Sequence, residues 1–479
     1  LKKRKKYMIK IKVNPEDFVV EEVAGLPMRK HGNFCVYRLK KRGWNTVDVL
    51  KRISQTFCIP FSDLSYGGKK DKHAITSQYI TITRRSAGRI ASPASAVSSS
   101  PKNDTKELSR TQQAPYPPTP DSGKLGDEDY SMGLVGFMDR PMGSDLITGN
   151  RFQITVRNVA DADLASALRE IACVKNDGYP NYFDDQRFGS FDSRQGFIAE
   201  KIIKKHYNGA LRTYFSSIHP EDSREEKEYR KYFYENWGNW QACLKGATSK
   251  FEKEAFRYLE KHSNGFVPVL QRISHEKMGI FFSAYQSHLW NELLRKIIHA
   301  ITNGNSTPIN LLPTGTGILN SAQDDNTCPS LATMYPDTNQ NNLPAQDASK
   351  RSGGAHLKSS KGIAGSYLFP SHGDDKITAY LGSLVIPMPA SNIKMPDAFT
   401  KILYSEVLKT HEIKAHMFNT KKIRDGFFKG IERRAMVVPE DLVVNYSQDE
   451  IYPDNKKVIL NFFLPKACYG TMFIKRIFC

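Results

Sequence analysis

What most limits the folds open to this chain is where it stops being able to fold. Two stretches, 86–131 and 302–361, are rich in Ser, Pro, Thr, Asn, Gly and charged residues and show no sustained hydrophobic period. Such segments bury too little apolar surface to offset the entropy of ordering their backbone. They read as disordered insertions on the surface of a folded protein. The 479 residues must therefore build their cores from three patterned blocks, enough for two or three domains.

Both hydrophobic periods occur in those blocks. Residues 33–39 alternate, with Phe34 and Val36 on one face and Cys35, Tyr37 and Leu39 on the other. Residues 78–83 put Ile80 and Ile82 together, and 150–156 do the same for Phe152, Ile154 and Val156. Residues 458–464 and 471–478 read as a closing pair of strands. After Ser283 the spacing changes: Leu289/Trp290, Leu293/Leu294, Ile297/Ile298 and Ile301 form the stripe of an amphipathic helix. Residues 195–206 give a second helix, with Ile198 and Ile202/Ile203 inward. Strands and helices without strict alternation predict an α+β fold.

The formal net charge of +19 points to a polyanionic partner, because a Lys or Arg that neutralises a phosphate releases a condensed counterion. Charge alone leaves a membrane surface open as well. The seven cysteines contain no CxxC pair and are odd in number, which argues against a disulfide framework or a zinc site and for a reducing compartment. No stretch approaches the roughly 18 to 20 apolar residues of a membrane span. No secretory signal is visible either. The basic run 2–6 fits a nuclear-import patch or a solvated arm equally well.

The densest chemical signal is Gly67-Gly68-Lys69-Lys70-Asp71-Lys72-His73-Ala74-Ile75-Thr76-Ser77-Gln78, running into a strand. A glycine pair permits a tight turn or a close backbone approach. Asp71 lies among Lys69, Lys70, Lys72 and His73, and that positive surrounding favours its ionised form. A nucleophilic or charge-stabilising carboxylate needs this, whereas a general acid needs the reverse. By itself the segment also fits a hairpin turn with solvated charges. A second signal, 178–189, supplies an amide, aromatic faces and an arginine, the kit that reads unstacked bases; it fits a buried aromatic corner too. Asp184 and Asp185 have no partners at metal-ligand spacing, so no metal site is read.

Taken together these segments resemble the TruD family of pseudouridine synthases. Lys70 to Gln78 is similar to the family's signature around its catalytic aspartate, and Asn181-Tyr182-Phe183 through Gln186-Arg187-Phe188-Gly189 to its Asn-Tyr-Phe motif. Asn14-Pro15-Glu16-Asp17-Phe18, Gly149-Asn150-Arg151-Phe152, Ser283-Ala284-Tyr285-Gln286-Ser287, Arg433-Arg434-Ala435-Met436 and Leu464-Pro465-Lys466 with Tyr469 follow in the family's order. The resemblance implies that Asp71 is the catalytic aspartate and that Lys12 contacts it. It implies that Phe18, Asn181 and Tyr469 line the uridine site, with Phe183 stacking on the base. Tyr469 stands where many members carry Phe, and Asp184 where Gly is usual, which puts the shape of that turn in question.

The resemblance further implies a catalytic α+β domain with a central, mostly antiparallel sheet, at 1–204 and 433–479, and an inserted family-specific domain at 205–432. It implies a uridine-isomerising enzyme acting on RNA, most often tRNA, whose reaction conserves atoms and electrons and so needs no cofactor or metal; the sequence does not fix its oligomeric state, with a monomer favoured. The long polar insertions lean toward a eukaryotic source, hence nucleus or cytoplasm. The competing expectation is an RNA-binding protein of the same fold that no longer catalyses.

Overall fold

The computed structural model describes residues 9–90, 125–126, 129–303, 357–370, 375–420, 423, 428 and 430–479. The basic run 2–6 and most of both expected insertions lie outside the described residues. The chain forms two compact units, Leu1–Arg169 with Pro439–Gly470, and Glu170–Val438 with Thr471–Cys479. The divisions between these units fall at 169/170, 438/439 and 470/471, and Asn181 and Phe183 belong to the second unit.

The first unit is built on a ten-stranded sheet. Its strands are β1 (Lys10–Ile11), β2 (Phe18–Ala24), β3 (Phe34–Arg42), β4 (Leu64–Tyr66), β5 (Ile75–Thr83), β6 (Leu125–Gly126), β7 (Tyr130–Met138), β8 (Ile147–Val159) and the two C-terminal strands Glu440–Gln448 and Lys456–Pro465. The order runs from Glu440–Gln448 through Lys456–Pro465, β8, β2, β5, β3 and β7 to β6, with β1 on β8 and β4 on β5. Every pairing is antiparallel except β2 with β5. The alternations predicted in 33–39, 78–83, 150–156 and 458–464 are all strands, and their inward residues form the core.

Helix Thr46–Thr56 escapes the period search because its apolar stripe is only Val49, Leu50 and Ile53. These three are fully buried and close one cluster with Cys35, Tyr37 and Leu39 of β3 and Ile80 and Ile82 of β5. Ala87 and Ile90 join the same cluster, so the start of the expected insertion at 86 is ordered: its apolar residues have somewhere to go.

The second unit is mainly helical. The stripe after Ser283 belongs to helix His275–Thr302, 28 residues long, whose first turn is capped by the Ser274 hydroxyl. Helix Ile198–Ile203 is shorter than the 195–206 read from sequence, and it buries Ile198, Ile202 and Ile203 as expected. Strand Leu357–Gly362 pairs with Gly365–Pro370, so the end of the expected insertion, 357–361, is ordered. Its own residues are polar; its order comes from the partner strand, where Tyr367 and Phe369 are buried.

One element is corrected outright. Residues 471–478 are a helix, Gly470–Phe478, not a strand. A short apolar run does not distinguish the two by itself. The hydrogen bonds do: the Thr471 hydroxyl and the Lys475 ammonium both reach the Asp184 carboxylate, which residues four apart achieve only when one helical turn stacks them. The partner of strand Lys456–Pro465 is instead Glu440–Gln448, whose mostly exposed residues carry little periodic signal.

Candidate active site

In the first unit, Asp71 sits on the loop between β4 and β5, and that loop is tied down along its length. Gly67 is required where the loop crosses Ile147, because a Cβ there would lie 2.6 Å from the Ile147 side chain. The Gln78 amide donates to the Gly68 carbonyl over 3.1 Å and accepts from Thr46 Oγ1 over 2.9 Å, while Thr46 Oγ1 accepts from the Lys70 backbone over 2.9 Å. Lys70 Nζ donates to Asn150 Oδ1 at 2.7 Å and pairs with Glu22, a carboxylate on β2 that also takes the Tyr79 backbone N–H. Lys70 and Asp71 are therefore held by protein partners, while Lys69, Lys72 and His73 stand exposed, so the solvated-hairpin reading describes only part of the loop.

Around Asp71 itself the arrangement is ionic. Lys12 Nζ pairs with Oδ2, and the His73 backbone N–H donates to Oδ1 over 2.9 Å. Lys12 adopts a left-handed backbone (φ 57) just after β1, a conformation that costs energy for a residue with a Cβ and is kept only where surroundings enforce it. Its ammonium lies 4.3 Å from the centre of the Phe18 ring, a cation–π contact. Phe18 is buried against Phe152 in a T-shaped contact at the start of β2.

The Asn-Pro-Glu-Asp segment that positions both residues is held by Arg157. Asp17 accepts from the Asn14 backbone N–H and from the Arg157 guanidinium, which also binds Asp449 and Glu450. Sequence reasoning passed over Arg157, since its partners come from 140 and 292 residues away.

Lys41 was also missed. It is 1% exposed, and its ammonium donates to the main-chain carbonyls of Asp71 at 2.7 Å and Trp44 at 2.6 Å. Burial pulls its pKa down to about 8 against the attraction of Asp71, with Lys70 adding to the depression. Its place in β3, second in a Lys40-Lys41-Arg42 run, looks like any solvated basic patch in sequence. Tyr469 is half-buried in the turn that precedes the closing helix.

In the second unit, Asn181 and Phe183 follow a two-residue bridge, Tyr179–Pro180 with Met436–Val437. Gly178 enters it at φ 75, and a Cβ there would stand 2.6 Å from the Val437 carbonyl oxygen. Arg433 then joins the two candidate residues. Its guanidinium donates to the Asn181 carbonyl and to Asn181 Oδ1, and lies 4.0 Å over the Phe183 ring. The Phe183 backbone is gripped from the other side by Asn291, which accepts its N–H at 2.9 Å and donates to its carbonyl at 2.8 Å. Trp290 meets the ring edge-on.

The turn after Phe183 makes no use of the glycine common at that position. Asp184 is extended (φ −82, ψ 167), a region open to any residue, and its buried carboxylate anchors the closing helix through Thr471 and Lys475. Burial disfavours the Lys475 charge, but Asp184 and Asp185 outweigh it and hold its pKa above the usual value.

A cavity of about 450 Å³ in this unit, bordered by Tyr207, Lys205 and His416, contains none of these residues. Among the described residues, no three His, Cys, Asp or Glu side chains are placed to share a metal ion, and no helix is long and apolar enough to cross a membrane.

The chain is 25% identical over 476 residues to tRNA pseudouridine synthase D of Aquifex aeolicus, covering 98% of this chain and 98% of that one. It is 27% identical over 481 residues to tRNA pseudouridine synthase D of Leptospira interrogans, covering 98% and 95%. A solved Methanosarcina mazei chain described as a tRNA pseudouridine synthase D shares the fold, with a TM-score of 0.62 at 19% identity over 98% of this chain and 93% of that one. The family model for tRNA pseudouridine synthase D matches residues 2–307 and 372–477, and the chain belongs to that family.

Proposed function

We propose that this protein isomerises uridine to pseudouridine in tRNA, with Asp71 as the catalytic carboxylate. The observation that supports this most is the Asp71–Lys12 pair, held on a rigid loop beside the Phe18 ring. The reaction breaks the bond from N1 of uracil to ribose C1′ and forms one from C5 to C1′. A proton leaves C5 and one is gained at N1, so atoms and electrons balance without a cofactor. An ionised Asp71 suits the step in which the sugar becomes electron-poor, as nucleophile, as stabilising charge or as proton acceptor. Lys12 favours that ionised form.

Phe18, Asn181 and Tyr469 are assigned to the uridine site and Phe183 to the base face. The Phe183 ring is packed by the Arg433 guanidinium at 4.0 Å and the Arg187 guanidinium at 5.7 Å, two cations that would flank a base stacked against it. The surplus of positive charge would grip the RNA backbone, and affinity should fall by orders of magnitude between low and physiological salt for about six or more phosphate contacts.

The deciding experiment incubates purified protein with tRNA transcripts and maps pseudouridine by a chemical-adduct stop assay, with Asp71→Asn in parallel. New pseudouridine with the wild type alone supports both activity and residue. Equal product from the variant would move the chemistry off Asp71, and no product in total cellular RNA would favour the non-catalytic RNA-binding alternative.

A further inference from the structure

We propose that Arg433 makes the site selective for uridine by locking the side-chain amide of Asn181 in one orientation. The inference rests on the reading that Asn181 faces the base. A primary amide has an acceptor oxygen and a donor nitrogen on nearly identical outlines, and a half-turn about its last torsion exchanges them. At Asn181 that exchange is blocked by the chemistry of its partners. Arg433 has only donors, and its Nη2 lies 2.6 Å from Oδ1. The Arg434 carbonyl can only accept, and Nδ2 donates to it at 3.2 Å. Flipping would set donor against donor and acceptor against acceptor in a side chain only 4% exposed.

Arg433 cannot follow such a flip, because it is held on every side. Its Nε and Nη2 both donate to the Asn181 main-chain carbonyl, at 2.9 and 2.7 Å. Its plane lies 4.0 Å from the Phe183 ring centre and 5.2 Å from that of Trp290. Its backbone pairs with Ile386. Among the described residues, these bonds take up only half the amide's capacity. One lone pair on Oδ1 and one hydrogen on Nδ2 remain, an acceptor beside a donor.

That pattern is the complement of uracil's imide edge, where the N3 hydrogen lies beside a carbonyl oxygen. Cytosine presents an acceptor at N3 beside an amino donor, the reverse, and only a flipped amide would meet it. The imide edge has a second property that matters for this reaction. A half-turn of the detached base about the line through N3 and C6 exchanges N1 with C5 and O2 with O4, yet leaves N3–H beside a carbonyl. A locked amide therefore pairs with the base before and after it turns, so recognition need not be lost while C5 replaces N1.

The test compares turnover of a tRNA transcript carrying uridine at its modified position with the same transcript carrying N3-methyluridine there, for wild type, Arg433→Lys and Asn181→Asp. Wild type should prefer uridine by about a hundredfold or more, since a site built to bond an N–H rejects its methylated form. Asn181→Asp keeps an acceptor for Arg433 but offers no donor to the base or to the Arg434 carbonyl; its melting temperature should fall by a few degrees, and in the protein that remains folded kcat should fall about a hundredfold with KM for RNA little changed. Arg433→Lys, which lacks the fork, should lose kcat and shrink the preference for uridine. Wild-type turnover of uridine is the control, and its absence would sink the proposed function itself. With that control positive, equal turnover of the methylated transcript, or a folded Asn181→Asp with wild-type kcat, would overturn the role of Arg433.

Discussion

The two candidate regions are held in place by different physics. Asp71 in the first unit is fixed by charge and polar bonds, with Lys12 on its carboxylate, Lys41 on its carbonyl and Lys70 bridging Glu22 and Asn150 beside it. Asn181 and Phe183 in the second unit are fixed by hydrogen bonds between neutral amides and by one guanidinium that bonds Asn181 and lies over the Phe183 ring, together with a two-residue bridge. A carboxylate that must stay ionised benefits from cations whose attraction strengthens as water is excluded. A residue that must receive a planar base benefits from rigid planes and fixed amides. The first arrangement should therefore be sensitive to pH and charge, and the second to side-chain geometry.

The sharpest way to break this contrast is at Asp71. Asp71→Asn keeps the size and removes the charge, and turnover should drop on the order of a thousandfold or more while RNA affinity is retained. Single-turnover kinetics with a parallel binding titration would show it. Lys12→Met should follow, with a loss on the order of a hundredfold in kcat, since it removes the cation beside the carboxylate. If a variant of Lys12 proved harmless while Trp290→Ala was crippling, geometry would outweigh charge in the first unit as well.

Lys41 gives a smaller and more diagnostic effect. Its depressed pKa, about 8, means that raising pH through that value removes its charge in the folded protein while the unfolded side chain stays protonated to about 10.4. Turnover should show an alkaline limb near pH 8, and Lys41→Met should lower kcat about tenfold and abolish that limb. A wild-type profile flat to pH 9 would remove Lys41 from the argument.

The second unit should respond to acid through His288 and His411 rather than at its candidate residues. Burial lowers both pKa values, that of His288 to about 4. Because the unfolded histidine binds its proton near pH 6.5, stability is present above that pH and is lost as pH falls from about 6.5 toward 4, on the order of 3 kcal/mol for His288 alone. In the first unit, burial opposes ionisation of Asp449, but backbone N–H groups of Asn158, Ile451 and Tyr452 together with Arg157 leave its pKa below the usual carboxylate value. Its contribution is present above the ordinary carboxylate pKa and lost only below it. Calorimetry between pH 7 and 3 should show the second unit giving way first. Smallest of all, Tyr469→Phe should change kcat by no more than about threefold, since a ring is kept where many relatives carry one.

Local pattern and local chemistry were enough for part of this protein. The alternations of β3, β5 and β8 follow directly from period-two burial, and the helix His275–Thr302 from its long apolar stripe, because each signal lies within a few residues of itself. Asp71 was legible for the same reason: its cations are neighbours in sequence and Lys12 follows from the family pattern. What the tertiary structure alone decided are interactions whose partners are far apart along the chain. Arg433 reaches Asn181 across 252 residues, Arg157 reaches Asp449 across 292, and Lys41 reaches the Asp71 carbonyl across 30. The closing segment 471–478 shows the limit most clearly. Its short apolar run was read as a strand, and in the fold it is a helix whose Thr471 and Lys475, one turn apart, both bind the carboxylate of Asp184, nearly three hundred residues earlier.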